Sequence, residues 1–273
     1  MLGDIWTYLA YLLILAFFIV PVLWVLSLSF KTVREVYAYP PRLLPNQLTL
    51  DNYHTVLRNA QFPRYLLNSL KIALLASLGT LAISTPAAYA FSRFRFRAKG
   101  TLLIGILALQ MISPLVILIP LYRYFAALDL LDSHFGVIMV YLATLTPLTT
   151  WLLKGFFDGI PISLEDAGQV DGCSRLQVLW RITMPIAVPG LMSAVVLNVI
   201  LSWSQFVIPF ILISKNKLQP VAVGIFNFQG TYQSTATHTV AAASILTMLP
   251  AIVIFVALQR FIVRALLAGA VKG

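Results

Sequence analysis

The sequence predicts an all-α integral membrane protein with six transmembrane helices and a cytoplasmic helix-turn-helix loop. Of the 273 residues, 60% are hydrophobic and 10% are charged, whereas soluble domains carry about 25% charged residues. Six windows contain no Asp, Glu, Lys or Arg; they are 5–30, 72–92, 100–122, 133–153, 182–214 and 218–259. Lipid is therefore the expected solvent for most of this chain.

Each window can supply the roughly 20 apolar residues that a helix needs to cross a bilayer. The first window is too long and too uniformly apolar for a signal peptide, so we expect it to be retained. The last begins with a polar stretch, which moves its spanning part to about Val240. We predict one transmembrane domain over 1–273, with helices near 5–30, 69–92, 100–123, 134–155, 186–213 and 240–259.

Basic residues orient the predicted helices, because Lys and Arg are retained in the cytoplasm. Six spans place both termini on one side, and termini inside put ten basic residues in inner loops against seven in outer loops. Asp4 before the first helix and Lys31 after it favour the opposite orientation. We predict cytoplasmic termini, because they place the dense basic cluster RFRFRAK at 93–99 in an inner loop.

We find no sequence motif for nucleotide binding, metal binding or catalysis in this chain. There is no GxxxxGK[ST] phosphate loop, and the three histidines show no metal-ligand spacing. The adjacent residues Asp132, Ser133 and His134 suggest a capped helix start rather than a catalytic triad, whose members normally come together through folding. We therefore predict no catalytic residue, no metal site and no cofactor in this chain.

Neutral polar residues lie within three of the apolar windows, and those of the second window are Ser77, Thr80 and Ser84. Asn198, Ser202 and Gln205 share one helix face and have Trp203 beside them; Gln110 and Ser113 lie in the third window. Such groups can tie helices together by hydrogen bonds. They can also line a path for a neutral, hydroxyl-rich solute, since an ionic solute favours an opposite charge within the membrane. Both interpretations stay open.

The connection 160–185, called loop 160–185 below, is polar and contains SLEDAGQVDGCSRLQVLWRITMP. Ser163 is a predicted N-cap with Asp166 at the N3 position. Gly172 ends this short helix, and a second helix begins at Arg175. The loop is either an ordinary capped connection or a docking element for a partner protein.

This loop resembles the EAA loop of ABC importer membrane subunits, whose pattern is E-A-A-x-x-x-G followed by I-x-L-P. We match Glu165, Asp166 and Ala167 to E-A-A, Asp171 and Gly172 to the following D-G, and Ile182 and Pro185 to the end. In this match four residues, one more than in the pattern, separate Ala167 from Gly172. Asp166 stands where the pattern has its first alanine, and Met184 replaces the leucine. The stretches 68–80, 87–100 and 264–273 are also similar to the maltose-type, binding-protein-dependent carbohydrate permeases, so the resemblance covers essentially the whole chain.

The resemblance implies a non-catalytic subunit of an ATP-driven importer in the bacterial or archaeal inner membrane. A homologous second permease, a cytoplasmic ATPase dimer that binds ATP and Mg, and an extracytoplasmic solute-binding protein are the implied partners. The ATPase would contact Glu165, Asp166, Ala167, Gly168, Asp171 and Gly172, and also the tail residues Gly269, Lys272 and Gly273. The implied solute is a neutral di- or oligosaccharide that moves by alternating access; glycerol phosphate or a polyamine is the alternative. An intramembrane enzyme or a channel is the remaining alternative class.

Overall fold

The computed structural model describes the backbone of residues 2–228 and 236–270, where every regular element is helical. Side chains are described for 5–113, 115–117, 119–228, 236–257 and 259. The α-helices are α1 (Leu2–Ser29), α2 (Val33–Val36), α3 (Asp51–Arg58), α4 (Phe62–Arg93), α5 (Lys99–Ala108), α6 (Pro114–Ala127), α7 (His134–Asp158), α8 (Ile162–Val170), α9 (Arg175–Val178), α10 (Met184–Ser204), α11 (Val207–Leu212), α12 (Val221–Gly224) and α13 (Thr237–Ala270). The all-α fold class is confirmed.

Five helical segments within the described residues are long and apolar enough to cross a membrane. They are Ile5–Ser29, Phe62–Arg93, His134–Asp158, Arg175–Ser204 and Thr237–Ala257. The most apolar window of the first segment has no buried residue. Such an exposed apolar helix is stable when lipid, rather than water, covers it.

The segment predicted as one helix over 100–123 is divided in two. α5 continues as a 3₁₀ turn over Leu109–Met111, Ile112 is extended, and Ser113 caps α6 by accepting a hydrogen bond from the Leu115 N–H. Pro114 explains the interruption, because its ring would clash with the Gln110 carbonyl in a continuous helix. Neither half reaches the length of a membrane span, so the six-span topology stays a prediction.

The segment predicted as one helix over 186–213 is also interrupted. α10 ends at Ser204, Gln205 is extended, and α11 begins at Val207. Pro209 lies four residues after Gln205 and removes the N–H that the Gln205 carbonyl would bind. In both interrupted segments, a glutamine lies four residues before a proline.

The remaining predicted helices exist, with shifted ends. α4 begins at Phe62 instead of 69, α7 continues to Asp158 instead of 155, and α13 covers Thr237–Ala270 instead of 240–259. The apolar-window criterion misses these turns because the helical backbone continues into polar sequence at the membrane surface.

The helices pack around α4, which contacts α7 on one side and α10 on another, while α1 lies along α13. The buried cluster near loop 160–185 combines side chains of α4, α7 and α10, such as Ala88, Leu153 and Leu191. A second buried cluster joins α4 and α7 to α11, through Tyr141 and Ile208 among others. Loop 160–185 thus packs against the three helices α4, α7 and α10.

The residues 132–134 form the capped helix start that the sequence favoured. The Ser133 side chain accepts a hydrogen bond from the Phe135 N–H at the start of α7. Asp132 accepts hydrogen bonds from the backbone N–H groups of Ser214 and Lys215, and the His134 ring contacts the Leu218 carbonyl at 2.8 Å. These contacts tie the start of α7 to the segment that follows α11.

Candidate functional site

Loop 160–185 is a helix-turn-helix, as predicted. α8 ends at Val170, Gly172 turns the chain with φ +88°, and α9 starts at Arg175. Ser174 and Gln177 form a capping box at the start of α9. The predicted N-cap at Ser163 is wrong: Pro161 occupies the N-cap position, two residues earlier, and α8 begins at Ile162. The restricted φ of Pro161 ends the preceding segment.

The carboxylate of Glu165 is turned into the protein, and the residue is only 3% exposed. The Arg93 guanidinium contacts Oε1 through both Nε and Nη2 at 2.8 Å. Thr183 donates a hydrogen bond to the same oxygen at 3.1 Å, and the Tyr89 hydroxyl donates to Oε2 at 2.9 Å. We refer to Tyr89, Arg93, Glu165 and Thr183 as the Glu165 cluster. All of these contacts lie within one chain.

Gly168 faces the same way as Glu165, one helical turn later. A Cβ at this position would lie 2.2 Å from Cδ1 of Ile182 and 3.5 Å from Cγ2 of Val178. The absence of a side chain therefore lets α8 pack closely against the segment that leads into α10. Glu165 and Gly168 together define the inner face of α8.

The outer face of loop 160–185 combines acidic and apolar side chains. Asp166, Ala167, Asp171 and Gly172 are exposed, and Val170 between them is 87% exposed. An exposed apolar residue with acidic neighbours is a surface that a partner protein can cover. Four of the six residues that the resemblance assigns to ATPase docking thus lie on this face.

Two adjoining cavities with shared lining residues lie where α5–α6 and α10–α11 are interrupted. The smaller has a volume of about 290 Å³ and is lined partly by Gln110, Tyr141, Thr144, Ser202 and Gln205. The larger, of about 660 Å³, is mostly apolar and shares three of these residues, Gln110, Thr144 and Gln205. Among the described residues that line either cavity, none is acidic or basic. The cavities can offer neutral hydrogen bonds next to apolar surface.

Three of the six predicted path residues, Gln110, Ser202 and Gln205, meet at the smaller cavity. The other three lie elsewhere. Asn198 is buried and accepts a hydrogen bond from Thr149 at 2.8 Å, Ser113 caps α6, and Trp203 packs against the cluster formed by α3, α4, α12 and α13.

The contribution of α7 to this cavity was not predicted from the sequence. Thr144 and Tyr141 line it, and the Thr144 carbonyl accepts a hydrogen bond from Gln110 at 2.8 Å. The segment TLTPLTT at 144–150 was the available signal. Of the predicted tail contacts, Gly269 lies in the last turn of α13, and Lys272 and Gly273 lie outside the described residues.

Residues 79–267 match the family model "Binding-protein-dependent transport system inner membrane component". The chain is 34% identical over 262 residues to the trehalose transport system permease protein SugB of Mycobacterium tuberculosis, covering 96% of this chain and 95% of the relative. It is 32% identical over 255 residues to the trehalose/maltose transport system permease protein MalG of Thermococcus litoralis, covering 93% and 91%.

Among solved structures, the fold is similar to a chain of a bacterial ABC transporter involved in the import of the acidic polysaccharide alginate. The TM-score is 0.79 at 22% sequence identity, over 95% of this chain and 96% of that chain. The helical architecture, the apolar helices that can cross a membrane and the family match agree. This chain is a multi-pass membrane protein that belongs to the family of binding-protein-dependent transport system inner membrane components.

Proposed function

We propose that this chain is a non-catalytic, membrane-spanning subunit of an ATP-driven importer that translocates a neutral di- or oligosaccharide by alternating access. The observation that carries the proposal is the near full-length similarity to permeases named for trehalose, maltose and galactooligosaccharides. Because the family model covers residues 79–267, the likeness includes both the cavities and loop 160–185.

The chemistry of the cavities supports a neutral solute. Gln110, Ser202 and Gln205 provide amide and hydroxyl groups, which can exchange hydrogen bonds with sugar hydroxyls. The adjoining apolar surface suits the less polar faces of sugar rings. One relative is a sulfoquinovosyl glycerol transport system permease protein, named for a solute that carries a sulfonate. A charged solute is therefore the alternative to test, with glycerol phosphate as the anionic example and a polyamine as the cationic one.

The outer face of loop 160–185 is the proposed docking surface for a partner ATPase. Asp166, Val170 and Asp171 are exposed there, while the inner face holds the loop to the helices. The sequence has no phosphate loop, so ATP and Mg would be bound by the partner. Docking would transmit ATPase closure to the helices as a rigid-body movement.

The remaining partners follow from this arrangement. A homologous second permease would complete the transmembrane pathway, and loop 160–185 and both termini would face the cytoplasm. The segment 31–67, which contains α2 and α3, would lie outside and meet a solute-binding protein. One solved relative is a complex with an alginate pentasaccharide-bound periplasmic protein.

The decisive experiment is solute-stimulated ATP hydrolysis by the complex reconstituted with its partner permease, ATPase and binding protein. Neutral di- and oligosaccharides, polyamines and glycerol phosphates would be compared, with omission of the binding protein as the control. We expect a saccharide to stimulate hydrolysis. Stimulation by a charged solute alone would contradict the carbohydrate assignment, and no stimulation by any solute would contradict the importer assignment.

A further inference from the structure

We propose that Glu165 is a positioning residue whose carboxylate joins loop 160–185 to α4 and to the start of α10. On this proposal, which rests on the proposed function, the ATPase displaces the outer face of the loop, and Glu165 transmits that displacement to both helices. Glu165 therefore acts through contacts within its own chain, and its exposed neighbours meet the partner.

The contacts of the carboxylate support this role. Tyr89 and Arg93 lie four residues apart on one face of α4, and both reach Glu165. Thr183 reaches it from the end of the π-helical turn Leu179–Thr183, which leads into α10. Thus one side chain of α8 is bonded to the last turns of one transmembrane helix and to the first turn of another.

Arg93 extends the connection beyond the carboxylate. Its Nη2 also donates to the Ile160 carbonyl at 3.0 Å, and its Nη1 donates to the Ser92 hydroxyl at 3.1 Å. Ser92 in turn donates to Asp158 at the end of α7, at 2.7 Å. The Glu165 cluster is therefore continuous with the end of α7, so three packed helices share it.

Burial makes these bonds difficult to replace. The side chains of Arg93 and Glu165 are 9% and 5% exposed, so water does not readily substitute for either partner. An ATPase cation could reach the buried Glu165 only by displacing these partners, and displacement of Arg93 would leave a buried charge without its partner. Gly168 also packs closely on Ile182, which adds an apolar contact between α8 and the segment that leads into α10.

Hydrogen–deuterium exchange of the full-length chain in lipid nanodiscs tests whether the cluster fixes α8. We expect Glu165→Gln to accelerate exchange of the α8 amides roughly tenfold, because charge-assisted hydrogen bonds are lost beside a buried Arg93. Tyr89→Phe removes a single hydroxyl and should accelerate exchange roughly threefold. Asp166→Asn is the matched control, since it neutralises the adjacent but exposed acid and should leave α8 exchange unchanged.

Coupling in the reconstituted complex tests the transmission. We expect Glu165→Gln and Tyr89→Phe to retain the ATPase but to transport roughly three- to tenfold less solute per ATP hydrolysed, the scale expected of a contact that couples two sites. A variant that was merely less stable would lower hydrolysis and transport together. Asp166→Arg should instead weaken retention of the ATPase.

Two results would overturn the proposal. One is α8 exchange in Glu165→Gln that equals the wild-type rate. The other is release of the ATPase by Glu165→Gln while Tyr89→Phe couples normally, which would make Glu165 a direct docking residue. Failure of the proposed function is distinguishable, because it would abolish solute stimulation in the wild-type complex without affecting the exchange measurement.

Discussion

Gly168 and Gly172 lie four residues apart in loop 160–185, yet they exclude a side chain for different physical reasons. At Gly168 the obstacle is space, because a Cβ would collide with Cδ1 of Ile182. At Gly172 there is no atom within 4 Å of a Cβ, but φ is +88°, a conformation that residues other than glycine rarely adopt. Packing thus excludes a side chain at Gly168, and the backbone conformation disfavours one at Gly172.

This difference leads to a double-mutant prediction. Gly168→Ala should destabilise the protein by about 0.5–1.5 kcal/mol, because the terminal methyl of Ile182 must leave its present rotamer. Adding Ile182→Val, which deletes the obstructing Cδ1, should restore most of that loss. Gly172→Ala should also destabilise, by about 1–2 kcal/mol, because of backbone strain.

Thermal unfolding in detergent provides the measurement, and Ile182→Val alone is the control. Ile182→Val should leave the loss caused by Gly172→Ala unchanged. If Ile182→Val restored stability equally to Gly168→Ala and to Gly172→Ala, the two glycines would not have separate causes.

Asn198 and Gln205 share a predicted helix face but have different surroundings. Asn198 is 1% exposed and bonded to Thr149, whereas Gln205 borders both cavities. The spacing in the sequence correctly placed Ser202 and Gln205 together. It could not indicate that α7 covers Asn198, because that contact joins residues 49 positions apart.

We therefore expect different defects from Asn198→Leu and Gln205→Leu. The first leaves the buried Thr149 hydroxyl unpaired and should lower the unfolding free energy by about 1–3 kcal/mol. The second should raise the apparent KM for the solute roughly tenfold with little loss of stability, because it removes a hydrogen-bonding group from the cavity. Transport kinetics and thermal unfolding of each variant check this. Normal transport by Gln205→Leu would assign that residue to helix packing alone.

At the scale of elements, we attribute the interruption of two helices to one cause. Pro114 and Pro209 each lie four residues after a glutamine, and each removes a helical hydrogen bond at that carbonyl. The apolar windows predicted these segments as single helices because hydropathy does not register a missing N–H. The prolines were visible in the sequence, and a proline four residues after a polar position was the signal that hydropathy overlooked.

Pro209→Ala tests this cause directly. With an N–H restored at position 209, the Gln205 carbonyl gains a partner, and we expect α10 to continue into α11 as one helix. The new amide should then be protected from hydrogen exchange, and transport should fall several-fold as Gln205 moves away from the cavity. Pro189→Ala is the matched control, since Pro189 already lies inside α10. Rapid exchange of the new amide in Pro209→Ala would show that another contact holds the helix open.

At the scale of the whole molecule, long-range contacts constrain the topology. Loop 160–185 touches the basic segment 93–99 and the end of α4, through Arg175 over the Phe94 ring at 5.4 Å and through the Glu165 cluster. Both segments therefore lie on one side of the membrane. α4 has 32 residues, a length of about 48 Å, and separates them from the segment that contains α2 and α3.

Cysteine labelling in membrane vesicles can test this arrangement and also the predicted orientation. In a Cys173→Ser background, the cysteine introduced by Arg97→Cys or by Asp171→Cys should react with an impermeant maleimide only in inverted vesicles. The cysteine introduced by Asn46→Cys should react only in right-side-out vesicles. If positions 97 and 171 labelled from opposite sides, the packing of loop 160–185 on α4 would be wrong; if both labelled from outside, the orientation would be reversed.

α1 lies along α13, a helix that the ribosome synthesises much later. About two hundred residues separate Ser29 from Thr237, which corresponds to roughly 10–40 s of synthesis at about 5–20 residues per second. During that time α1 must remain in the bilayer before its neighbour exists. Most of its length is apolar and exposed, which suits this interval, because lipid can cover that surface while the helix satisfies its own backbone hydrogen bonds. The order of translation thus favours a first helix that needs no protein contact to be stable.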